Sequence, residues 1–172
     1  MKRDTRDRYG SISKLFHWGM TALIGWQMLK FFDRIDDGEH WVGQTLVPWH
    51  ISVGSLLLLF VVARLVWVAK QDVRPSQNPA TVMLVRTGHG LLYACMVFLP
   101  ITGILRMVGA GYGWSAFGLD ILPGGPEVAW ADTLGSLHSP IAWLFLVLLT
   151  GHVAVTLWHD FVAKDDTLRR IV

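Results

Sequence analysis

Seven histidines stand in a chain of 172 residues that is 52% hydrophobic and only 16% charged. Six of them, His17, His50, His89, His138, His152 and His159, fall within or at the ends of long apolar stretches. An ionisable side chain placed in hydrocarbon is costly, so each is a functional hypothesis by default. A single such histidine serves well as a hydrogen bond between helices; six in so short a chain exceed that need. His138 and His152 are fourteen residues apart, ~40° short of four whole turns, so on one helix they share a face about 21 Å apart along its axis. His50 opens the neighbouring stretch at the depth of His138, while His17 and His89 lie near the depth of His152. Neutral imidazole is a good iron ligand, and two axial imidazoles give a six-coordinate iron suited to electron transfer. Two pairs at two depths are therefore what two bis-histidine haems stacked across a bilayer require. Spacing does not choose the second pair among His17, His89 and His152. Zinc also takes imidazole, but no Cys or carboxylate lies at matching depth to complete a zinc set. The single Cys95 and the lack of a C-x-x-C-H motif exclude a covalent c-type haem.

Other residues fall in step with these histidines. Gly54 is one helical turn beyond His50, Gly88 and Gly90 flank His89, and Gly151 precedes His152. Such glycines leave room for a flat macrocycle, although small residues in membrane helices also serve close helix packing. Arg64 lies fourteen residues after His50, on the same face and near the depth of His152. There it is placed to pair with haem propionates, with snorkelling toward the membrane surface as the alternative.

The elements that must hold these residues are four apolar stretches, each close to the ~20 residues a helix needs to cross a bilayer. They run over about Leu15 to Phe32, Trp49 to Ala69, Met83 to Val108 and Leu137 to Asp160. Ordinary soluble domains carry roughly a quarter charged residues; with 16% and a mean hydropathy of +0.42 the chain reads instead as an integral membrane protein. The first connection is acidic (Asp33, Asp36, Asp37, Glu39) and holds His40, read as solvated. The second is basic around Arg74, Pro75 and Pro79, and the third, Gly109 to Ser136, contains Pro123-Gly124-Gly125-Pro126. Eleven of the fifteen Lys and Arg lie on the side of the termini and the second connection, so both termini are expected in the cytoplasm. Trp18, Trp49, Trp67 and Trp158 fall at span ends, where an indole suits the headgroup layer. The first stretch has a basic front but is long and lacks a small-x-small site, so it reads as a retained helix rather than a cleaved signal. The expectation is one all-α domain over residues 1–172, a four-helix membrane bundle. The net charge of +2 names no partner, and nucleic acid is not among those expected.

Several stretches resemble the bacterial cytochrome b561 family of four-helix, dihaem membrane cytochromes. They are Tyr9 to Trp18, His50-Ile-Ser-Val-Gly54 with Arg64, Gly88-His89-Gly90, Leu99 to Gly103, Trp114 to Gly118, and His138 through His152 to Lys164-Asp-Asp-Thr-Leu168. The resemblance implies two haems b in a bacterial inner membrane, with His17 and His152 on the inner iron and His50 and His138 on the outer one. His89, His159 and Lys164 become quinone-site or supporting residues. The nearest likeness is to small stand-alone members that oxidise superoxide and reduce ubiquinone, one electron from each superoxide. A positive outer field would steer superoxide, yet the outer side holds seven carboxylates against Lys30, Arg34 and Arg106. Arg106, near the outer end of the third stretch, is the local source of attraction. The alternative is a dihaem anchor subunit for a hydrogenase- or dehydrogenase-type redox partner, docked on those acidic connections.

Overall fold

A computed structural model describes residues 3–73, 81–165 and 167–172, with the side chains of residues 34 and 36 excepted. Arg74, Pro75 and Pro79 lie outside the described residues, as does Lys2.

The apolar stretches fold as helices because a helix satisfies its own backbone, which hydrocarbon cannot do. α1 spans Ser11–Met28, and α2 is a short turn at Trp41–Thr45. α3 spans His50–Ala69, α4 Val82–Gly109, α5 Ala129–Gly135 and α6 His138–Trp158. The three longest apolar segments, containing α3, α4 and α6, are long and apolar enough to cross a membrane. α1 starts and ends four residues before the expected stretch: it ends at Met28, and the chain tightens into 3-10 geometry over Leu29–Arg34. Lys14, His17 and Gln27 make it the least apolar of the four, and it does not meet that criterion.

The helices pack in the order α1 on α3, α3 on α4, and α4 on α6. Their shared core is Met20 and Ile24 of α1, Leu57 and Val61 of α3, Leu92, Cys95 and Met96 of α4, and Phe145 of α6. Leu57 and Phe145 each lie one heptad beyond His50 and His138, so the apolar layer sits about 10 Å along the axis from those histidines. Large apolar side chains such as Leu59, Val62, Phe98, Val147 and Val155 face outward, a surface suited to lipid. Trp67 of α3 donates to Ser13 of α1 at 2.9 Å.

The chain is mostly helical, as expected, but the third connection is not all irregular and holds a short two-stranded hairpin. β1, Trp114–Ala116, pairs antiparallel with β2, Leu119–Leu122. Phe117 and Gly118 between them both have positive φ, 52° and 78°, the two-residue turn whose twist matches paired strands. Trp114 Nε1 donates to Ser55 at 3.1 Å and the Phe117 amide to Ser52 at 2.9 Å, which ties the hairpin to α3. His40, read as solvated, instead caps α2, accepting from the Gly43 amide at 3.2 Å while its other ring nitrogen meets the Phe32 carbonyl at 2.9 Å.

α5 lies backbone to backbone on the end of α4. A Cβ at Gly109 would fall 2.2 Å from the Asp132 nitrogen, and one at Gly135 would fall 2.5 Å from the Arg106 backbone. At the opposite end the chain returns to α1: Tyr9 N donates to Arg170 O at 3.0 Å, Trp18 Nε1 to Ile171 O at 3.1 Å, and Lys14 Nζ to the Val172 carbonyl. Gly109→Val should push α5 off α4 and destabilise this end by ~1–3 kcal/mol. Faster proteolysis within residues 110–136 with α4 still helical would show it; unchanged proteolysis would refute the close packing.

Candidate functional site

α6 places two histidines on one face, His138 at its first residue and His152 fourteen residues on. The structure gives each a facing imidazole from another helix.

At the first level His50, the opening residue of α3, meets His138 with ring centroids 6.0 Å apart and planes at 84°. An imidazole nitrogen binds a metal at ~2 Å, so two imidazoles on opposite faces of one iron have centroids ~6 Å apart. His138 Nδ1 is bonded to the Leu99 carbonyl at 2.9 Å, with Thr102 Oγ1 at 3.4 Å. That fixes the tautomer and leaves Nε2 as the ligating nitrogen, the usual support for a metal-bound histidine. Gly103 permits the approach: a Cβ there would stand 3.1 Å from the imidazole. Sequence reasoning missed Thr102 and the Leu99 carbonyl, which follow from helix contact alone.

At the second level His152 faces His89, centroids 5.5 Å apart. His17 of α1 lies within electrostatic range of Arg64, His152 and His89. The three histidines that spacing left open thus converge, and ring contact joins His152 to His89 first. His89 Nδ1 is bonded to the Val85 carbonyl at 2.8 Å, which leaves its Nε2 directed away from its own helix. No packing atom lies near the Cβ positions of Gly88, Gly90 or Gly151, so close helix packing does not explain them. Gly54 differs: a Cβ there would meet the Gln27 amide at 2.9 Å, so its space holds a side chain.

Arg64 is held between helices. Its Nε donates to the Tyr93 hydroxyl at 2.8 Å, Nη1 approaches Met20 Sδ at 3.8 Å, and the guanidinium lies 5.6 Å from the Tyr93 ring centre. Among the described residues no carboxylate pairs with it. A half-buried cation without an anion beside three imidazoles suits a carboxylate brought by a bound group. The donor set, the 6.0 Å pair and this unpaired charge all fit haem. Tyr93, which orients Arg64, was not legible in the sequence because it stands on a different helix at no telling interval.

Beyond α6 the helix widens into a π-helical turn, His159–Ala163, and Lys164 adopts left-handed geometry at φ 52°. His159 Nδ1 is 2.5 Å from Asp165, and Asp160, Phe161, Lys164 and Arg169 line a depression of about 280 Å³. At the opposite end Arg106 is ion-paired with Asp132 on α5, so its charge is locally balanced.

Residues 8–172 match the model of a family described as prokaryotic cytochrome b561. The chain is 35% identical to cytochrome b561 homolog 2 of Escherichia coli K12, an alignment covering 98% of this chain and 93% of that one. It is 27% identical to the probable superoxide oxidase CybB of Yersinia pestis, over 96% of both chains. A third relative, cytochrome b561 homolog 1 of E. coli K12, is 29% identical over about half of each chain.

Hydrogen bonds from Thr167 and His159 hold the exposed Asp165 carboxyl below the usual carboxylate range. A carboxyl lowered in this way supports the folded turn above its ordinary pKa, and that support is lost as the pH falls through the lowered value. Acidification through the carboxylate range should therefore lower the protection of the Thr167 amide, its exchange taken relative to the intrinsic rate at each pH, and Asp165→Ala should do so at neutral pH. Unchanged exchange in the variant would refute the tie.

Proposed function

Since the chain belongs to the prokaryotic cytochrome b561 family, membrane electron-transfer proteins that bind haem b, we propose that it is a four-span dihaem relay oxidising superoxide and reducing quinone. The observation that carries the reading is the pairing of His50 with His138 beside a second cluster of His17, His89 and His152 on the same helical frame. Both termini lie in the cytoplasm in this reading, within a bacterial inner membrane.

His50 and His138 would hold the outer haem, and His17 and His152 the inner one, with His89 beside it. A bis-histidine haem supplies reversible one-electron transfer. Arg64, held by Tyr93, gives a propionate its counter-ion. Arg106 draws the superoxide anion to the outer end, with Asp132 limiting that field. On the cytoplasmic side His159 and Lys164 bind the quinone head, and His159 is the side chain able to pass a proton to it. Two superoxides and two protons are consumed for each quinone, giving two O2 and one quinol. The E. coli and Y. pestis relatives support membrane electron transfer in general, and the name of the latter supports superoxide as the donor.

The acidic connection at the outer end favours a second reading, an anchor subunit that takes electrons from a basic redox protein of hydrogenase or dehydrogenase type. Co-purification of a redox-active second chain would favour it.

The purified protein should carry two haems b per chain and form quinol from superoxide. His50→Ala or His138→Ala should remove one haem and reduce that rate to background. Failure of superoxide to reduce the haems of the intact protein would refute the reaction. Arg106→Gln should slow reduction by superoxide on the order of 10-fold at low salt and flatten its salt dependence, with a neutral donor unaffected. Equal slowing with both donors would remove the steering role.

A further inference from the structure

Gln27 stands near the end of α1 and is 9% exposed. Its Nε2 donates to the His50 carbonyl at 3.0 Å and lies 2.9 Å from where a Gly54 Cβ would be. The carboxamide therefore runs along the face of α3 that carries His50 and, one turn on, Gly54. Its Oε1 is buried and lacks a hydrogen-bond donor, the one buried side-chain nitrogen or oxygen so placed among the described residues. A buried acceptor in that state bears the full cost of its lost hydration, a cost that Leu or Met of similar volume would not carry.

The two facing imidazoles differ in one respect. His138 Nδ1 has the Leu99 carbonyl as its partner, whereas among the described residues the His50 ring has no hydrogen-bond partner. A metal-bound imidazole donates its second N–H to an acceptor, which fixes the ring and raises its basicity. We propose that Gln27 is the positioning residue for His50: its Oε1 takes the His50 Nδ1–H when Nε2 holds the outer haem, the role the Leu99 carbonyl has for His138. The inference rests on the dihaem reading above. Gly54 is the small residue that makes room for this carboxamide. A more basic axial imidazole favours the oxidised iron, so Gln27 lowers the midpoint potential at the outer level and leaves the inner level alone.

Redox titration of the dihaem protein in detergent tests this, with the outer haem identified by its loss in His50→Ala. Gln27→Leu, and Gln27→Met if the branched residue prevents assembly, should retain two haems and shift the outer midpoint upward with the inner one fixed. Gln27→Glu keeps an acceptor oxygen and should stay at or below the wild-type potential. Loss of the outer haem in both apolar variants supports the inference when Gln27→Glu restores it, and overturns it when Gln27→Glu does not. Apolar variants with two haems and an unmoved outer midpoint, or with both midpoints moved together, also overturn it. An intact protein lacking two b-type haems would overturn the dihaem reading itself, which is a separate result.

Discussion

Hydrocarbon offers no hydrogen bonds, so a polar side chain on an apolar helix is tolerable only where another helix, or something held between helices, answers it. That constraint organises this molecule. The polar groups on α3 and α6 recur at fourteen residues, His50 with Arg64 and His138 with His152, and one heptad between them is given to Leu57 and Phe145. The result is two polar levels separated by an apolar layer. Each level draws on several helices: His50 with His138 at one, and His17, His89, His152 and Arg64 at the other.

The irregular parts of the chain serve the two ends of this frame. The hairpin is fastened to Ser52 and Ser55, within one or two turns of His50, so it lies over the end of α3 that carries the first level. α5 is fitted to α4 through Gly109 and Gly135, and this close fit brings Asp132 to Arg106. The last residues close against α1 through Tyr9, Lys14 and Trp18. α1 is the least apolar of the long helices, and it relies on these ties as well as on Trp67 and the shared core.

The two arginines at opposite ends of the frame face different electrostatic conditions. Arg106 is exposed and neutralised by a neighbour, where water and salt screen its field. Arg64 is half-buried, held by a phenol and a thioether that carry no charge, in a medium where its field is less screened. An anionic group is therefore needed far more at Arg64 than at Arg106.

The amino-acid sequence by itself determined the class of molecule, the bounds of α3, α4 and α6 to within a residue or two, and the two depths of imidazole, because hydropathy and the 3.6-residue period are local properties. It also marked His50 with His138, since both open their helices. The tertiary structure alone decided what those side chains touch. The partners Tyr93 for Arg64, the Leu99 carbonyl for His138, Gln27 beside Gly54, Asp132 for Arg106 and Asp165 for His159 come from how elements are packed, and most bridge residues remote in the chain. The hairpin was missed for a related reason: its strands are three and four residues long, and their anchors are serines on another element. Periodicity says which face a residue occupies, and only packing says what stands opposite.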